Sequence, residues 1–192
     1  MSKMRLFAVL SITAVLLSGC GLIPTSAKPV TIPSGQVQLN LLNPKIPGTN
    51  GGRVRFNTKP VYLVDATGHL APQSRIVTAP VKLASVLDQL IVGPTNIESS
   101  AGYSSDVPSK LIVLQAIIKA KIGYIDISSS LASLGRAKEV LAVGQLVFTS
   151  FYAGATGGIE ISVAGVSQLS MLPDRTLVRV VTGKDCQALL EP

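Results

Sequence analysis

The chain has 192 residues, 47% of them hydrophobic and 14% charged, with no tryptophan, so it can bury one core or at most two small ones. Its formal charge of +7 is scattered, with no basic run and no aromatic residues interleaved among the positive ones, which excludes nucleic acid as a partner. Two cysteines, Cys20 and Cys186, exclude a disulfide framework.

In chain order, Lys3 and Arg5 form a short positive segment ahead of an apolar run from Phe7 to Leu17. That run is shorter than the ~20 apolar residues needed to span a bilayer. It fits a secretory h-region of ~7–15 residues followed by small residues. Leu17-Ser18-Gly19-Cys20 resembles the bacterial lipobox. The resemblance implies a leader of residues 1–19, cleaved after Gly19, and a diacylglycerol thioether on Cys20, whose acyl chains (palmitate among them) hold the protein on the extracytoplasmic face of the cell membrane. Each buried CH2 contributes ~0.8 kcal/mol, and two chains give stable anchoring. Loss of Lys3 and Arg5 with the leader lowers the charge from +7 to +5.

Residues 20–52 read as a lipidated N-terminus and flexible linker. Pro24, Pro29, Pro33, Pro44 and Pro47 recur with Gly35, Gly48, Gly51 and Gly52, which prevents regular helix, although Val37–Leu42 has the alternation of a short edge strand. Arg53, Arg55 and Lys59 are either ordinary surface charge or an attraction for anionic head groups.

The domain is expected over residues 53–192. Val61–Val64 and Leu70–Val77 read as a hairpin around Asp65-Ala66-Thr67-Gly68. Pro80 suits the first position of a helix in which Leu83, Val86, Leu87, Leu90 and Ile91 form one apolar stripe, stopped by Gly93-Pro94. Residues 95–110 read as a loop. Leu111–Ile118 and Ile122–Ile127 form a second hairpin, and a second helix runs from Glu139 to about Tyr152, closed by Gly154. Ile159–Val163 and Arg175–Val181 are the last strands. The order β-β-α-β-β-α-β with a terminal strand predicts an α+β two-layer sandwich, two helices on one mixed or antiparallel sheet.

No catalytic constellation stands out. His69, the only histidine, falls in a turn where it is solvated, and it offers no H-E-x-x-H spacing for a metal. A set of Asp65, His69 and a serine lacks the G-x-S-x-G elbow. Asp65, Asp88, Asp106, Asp126, Glu139 and Glu160 are too scattered to define the carboxylate pair of a glycan hydrolase, and no glycine pattern marks a nucleotide cofactor. Asp126 and Ser128, at a strand end, suit capping of the following turn. Gln145 and Thr149 share a helix face, available to a partner unless Thr149 bonds back to its own helix. Cys186 is either a reactive free thiol or one packed on the core.

Five segments in order are similar to the GerMN domain of bacterial envelope lipoproteins and of sporulation and germination proteins. They are Val61-Tyr62-Leu63-Val64-Asp65 with Leu70 and Arg75, Leu87–Leu90 running into Gly93-Pro94, and Val107-Pro108. Tyr124-Ile125-Asp126-Ile127-Ser128 resembles the family's V-D-F-S strand end, and Gln145-Leu146-Val147-Phe148-Thr149 its Q-I-V-x-T helix. Ser74 stands where the family often has Glu, and Ile127 where it has an aromatic. The resemblance spans about Val61–Val166. It implies a non-enzymatic lipoprotein of an actinobacterial or other Gram-positive envelope, without cofactor or metal, whose domain binds other proteins or its own copies through sheet edges and helix faces. Arg75, Asp126, Gln145 and Thr149 are then the candidate partner-binding residues. The alternatives are a module for a cell-wall or lipid ligand and, last, an envelope hydrolase.

Overall fold

The computed structural model describes residues 54–190. Cys20, the leader, the linker with its Val37–Leu42 segment, and Arg53 lie outside them. The first hairpin pairs β1 (Phe56–Val64) with β2 (Leu70–Thr78), in register from Phe56↔Thr78 to Val64↔Leu70. Its turn is tied by Asp65, whose Oδ1 accepts from the Thr67 amide at 2.8 Å, the Thr67 hydroxyl at 2.7 Å and the His69 amide at 3.0 Å. Gly68 supplies the positive φ of 87° there. His69, in this turn as expected, is half-buried, and its Nδ1 meets the exposed Thr67 hydroxyl at 2.8 Å.

Helix α1 (Leu83–Val92) buries Leu83, Val86, Leu87 and Leu90, as its stripe predicts, and stops at Gly93 with φ 80°. Pro80 is not its first residue: Lys82 is still extended, so Pro80 belongs to the connection. The expected loop after Gly93 contains a short helix, α2 (Asn96–Ser100). Thr95 Oγ1 accepts from the Glu98 amide at 3.3 Å, and Glu98 Oε2 accepts from the Thr95 amide at 2.7 Å, a reciprocal cap.

The second hairpin joins β3 (Val113–Lys119) to β4 (Ile122–Ile127) through Ala120 and Lys121, both at positive φ. A 3-10 turn at Leu131–Leu134 leads to α3 (Arg136–Ala153), whose residues from Glu139 to Ser150 are buried except Leu141. Gly154 ends it in the left-handed region. The chain then crosses to β5 (Gly158–Val163), which runs parallel to β4. Short strands β6 (Val166–Ser167), β7 (Ser170–Met171), β8 (Leu177–Val178) and β9 (Val180–Val181) follow.

The class is α+β, but the single sheet expected from the element order is divided. β1 and β2 stand alone; β3-β4-β5-β6 form a mixed sheet, with β9 also pairing β5; β7 and β8 form a third pair. The division follows from what covers the outer side of β1. Side chains of α3 reach Tyr62, and Ser104 bridges Val64 through amide–carbonyl bonds of 2.9 and 2.7 Å, so no strand can add there. The expected last strand, Arg175–Val181, splits because Leu177 and Val178 pair β7 while Val180 and Val181 pair β5.

The core gathers Val61, Leu63, Leu70, Leu87, Leu90, Ile125, Ile127, Leu146 and Ile159 between hairpin, helices and mixed sheet. The C-terminal segment completes it. Leu190 bridges Leu70 in parallel, and Leu70 and Leu189 both pack closely on α3 at Gly144. A Cβ there would lie 2.8 Å from Leu70 Cδ1 and 2.6 Å from Leu189 Cδ1.

Candidate functional site

The C-terminal end of α3, β1 and the segment 182–190 enclose an open groove of about 570 Å³. Four aromatic rings line it: Tyr62, Phe148, Phe151 and Tyr152. Tyr62 and Phe148 form its floor, ring centroids 5.2 Å apart and both buried. Tyr152 stacks on Tyr62 at 5.9 Å, and Phe151 meets Tyr152 edge-on at 5.4 Å. Phe151 and Tyr152 remain 41% and 45% exposed. Burial and hydrogen bonding with Tyr152 push the Tyr62 hydroxyl above its ordinary pKa, so it stays neutral.

The rim is fixed by backbone capping. Lys59 Nζ donates to the Tyr152 carbonyl at 3.0 Å, placing a cation at the negative end of α3. Asp185 Oδ2 accepts from the Thr182 amide and hydroxyl at 2.8 and 2.7 Å, which shapes the turn carrying Gly183 and Lys184 along the groove. This groove is not among the features that the sequence predicts. Its one local signal was the adjacent pair Phe151-Tyr152 at a helix end.

The four candidate partner-binding residues lie apart from the groove, and each has partners inside the fold. Arg75 grips Glu98 with two 2.7 Å bonds and donates to the Gly93 carbonyl at 3.2 Å, pinning α2 and the end of α1 to β2. These bonds hold the Glu98 carboxyl down to about 2, against burial, which opposes the shift. Asp126 Oδ1 accepts from Ser162 Oγ and the Gly165 amide, both at 2.9 Å, so it caps the β5–β6 turn. Gln145 and Thr149 are fully buried. Thr149 Oγ1 accepts from the Tyr62 amide at 3.0 Å instead of bonding back to its helix, and Gln145 Nε2 donates to the Tyr62 carbonyl at 2.8 Å. Gln145 Oε1 also accepts from the Asp106 amide at 2.9 Å. Two side chains one helical turn apart thus satisfy both polar groups of one strand residue, as a neighbouring strand would.

Among the described residues no three His, Cys, Asp or Glu side chains converge as metal ligands. Cys186 is buried, and burial pushes its thiol up to about 12, so of its two readings the packed one holds. Burial also raises Asp106, countered by Lys138.

The Germane family, described as sporulation and spore germination, matches residues 60–169, in agreement with the resemblance read over Val61–Val166. No curated protein sequence matches the chain. The tandem GerMN domains of the sporulation protein GerM from Bacillus subtilis superpose with a TM-score of 0.54 at 16% identity, covering 67% of this chain and 47% of that one. The first GerMN domain of the same protein gives 0.51 at 17% identity, covering 67% of this chain and 98% of that one. The chain therefore spans about half of the tandem structure and nearly all of a single GerMN domain. With the family match covering more than half of its length, the chain belongs to the Germane family of sporulation and spore-germination domains.

Proposed function

We propose that the protein is a non-enzymatic lipoprotein of the cell envelope. In this reading, residues 1–19 are removed, Cys20 carries the lipid, residues 20–52 form the linker, and the domain from residue 53 binds protein partners or further copies of itself. The observation that carries the binding role is the half-exposed pair Phe151 and Tyr152 over an aromatic groove. Aromatic side chains at well-packed centres dominate interface energetics, and losing one commonly costs ~2 kcal/mol or more, about 30-fold in affinity. Of the four candidate polar residues, Gln145 and Thr149 support this surface by holding the main chain of Tyr62 in its floor, and in this reading the partner contacts are made by the exposed aromatic residues.

Photo-crosslinking from a site beside Phe151 in intact membranes tests the role. A defined adduct that disappears in Phe151→Ala and Tyr152→Ala chains is expected; adducts unchanged in both variants would overturn the assignment. A groove of about 570 Å³ also suits a small cell-wall or lipid ligand, the second reading. An adduct of ligand mass rather than protein mass would select it. Fatty-acid labelling of the chain should vanish in Cys20→Ser, and labelling that persists rules out the lipobox.

A further inference from the structure

The far end of the first hairpin, where the described chain begins, carries an apolar face unrelated to the groove. Phe56 and Ile76 are diagonal neighbours on one side of the β1–β2 ladder, since Phe56 faces Thr78 and Ile76 faces Thr58. They are 66% and 69% exposed, and Val54, two residues before Phe56, is 49% exposed. Strand residues this open contribute nothing to the core.

The charge distribution points to what covers them. No Asp or Glu precedes Asp65, whereas Lys28, Lys45, Arg53, Arg55 and Lys59 fall between Cys20 and that point. From Asp65 onward ten basic and ten acidic residues cancel. After loss of the leader, the whole net charge therefore resides in the segment leading into this hairpin end and in its first strand. Arg55, exposed and without an ion pair among the described residues, immediately precedes Phe56 at the hairpin end, where strand alternation turns its side chain to the other side.

We infer that the hairpin end docks on anionic lipid, with Val54, Phe56 and Ile76 as its apolar side and Arg55 flanking them from the other. The inference rests on the lipid-anchor reading, because the anchored segment leads directly into this end of the domain. Apolar side chains enter the head-group boundary while basic residues hold the anionic surface, a second signal added to the acyl chains. A second copy is the poorer occupant: a symmetric contact would bring two acid-free basic segments together. The consequence is orientation. The domain lies with one end on the bilayer instead of turning freely on its linker.

The absence of tryptophan supplies a clean probe. The lipidated Phe56→Trp chain is placed on phosphatidylcholine vesicles with and without phosphatidylglycerol, with Val166→Trp as an exposed control on β6. Flotation reads the anchor, and quenching by brominated lipid reads the docking. Expected on anionic vesicles is blue-shifted, lipid-quenched emission from the indole at position 56, with acrylamide-accessible emission from the control. Arg55→Ala should lower the docked-to-undocked ratio roughly fivefold, the effect of one basic residue near the surface. A chain that floats while the indole at 56 stays unquenched overturns the docking and leaves the anchor intact. A chain that does not float overturns the anchor and the docking with it. A blue shift that grows with protein concentration without vesicles assigns the face to a second copy and also overturns the inference.

Discussion

Thr149→Val tests the closure of β1 by a helix. Valine keeps the shape of threonine but removes the oxygen that accepts from the Tyr62 amide at 3.0 Å. That amide is buried beneath α3, so leaving it unpaired costs about 1–3 kcal/mol. For a domain of this size the melting temperature should fall by roughly 3 °C per kcal/mol. Gln145→Leu leaves the Tyr62 carbonyl unpaired at a similar cost, while the half-buried Asp106 amide regains water and adds little. Because both variants release the same residue, their effects should not add. Once Tyr62 has lost one partner, the strand edge shifts toward water and loss of the other costs less, giving a coupling of about 0.5–3 kcal/mol in a double-mutant cycle. Urea titration followed by circular dichroism measures the four stabilities of the cycle, and hydrogen exchange reports on the Tyr62 amide itself. A Thr149→Val chain within about 0.5 kcal/mol of the parent, with Tyr62 protection unchanged, would refute the idea that α3 replaces a strand.

The Arg75–Glu98 pair predicts an acid-dependent stability. The folded Glu98 carboxyl lies at about 2 against an ordinary 4.5, so its contribution is complete above 4.5 and is lost as pH falls toward 2. Melting temperatures of the parent should fall across that window more steeply than those of Glu98→Gln, and parallel profiles would contradict the pairing. Arg75→Met should cost about 1.5–3 kcal/mol at pH 7, measured by urea titration. For Cys186, a buried thiol pushed up to about 12 should resist alkylation at pH 8 in the native Cys20→Ser chain and react at the rate of unfolding; rapid native labelling would contradict its burial.

Local rules reach far into this fold and stop at its tertiary contacts. The stripe from Leu83 to Ile91 and the run Ile122–Ile127 appear where apolar periodicity puts them. The Thr95-x-x-Glu98 spacing is a readable capping box, but the polar, turn-like residues around it lack the apolar period of a helix. Gln145 and Thr149 are readable as one helix face, but their target on Tyr62 lies in a strand more than eighty residues earlier. For the same reason the single-sheet expectation fails: local pattern identifies strands, while side chains from α3 decide that one of them gains no further neighbour. The aromatic groove is also non-local, with Tyr62 from β1 meeting Phe151 and Tyr152 from the end of α3.

The bridge from Leu190 to Leu70, and the packing of Leu189 into the space over Gly144, set the order in which the molecule can mature. The first hairpin leaves the ribosome early, but the residues that cover its Leu70 end come last. At about 5–20 residues per second the interval is on the order of ten seconds. For the first half of it the hairpin lacks even α3 (Arg136–Ala153), and an isolated two-stranded hairpin is marginal in water. The packing of this end of the domain is therefore completed only after residues 189 and 190 have been made.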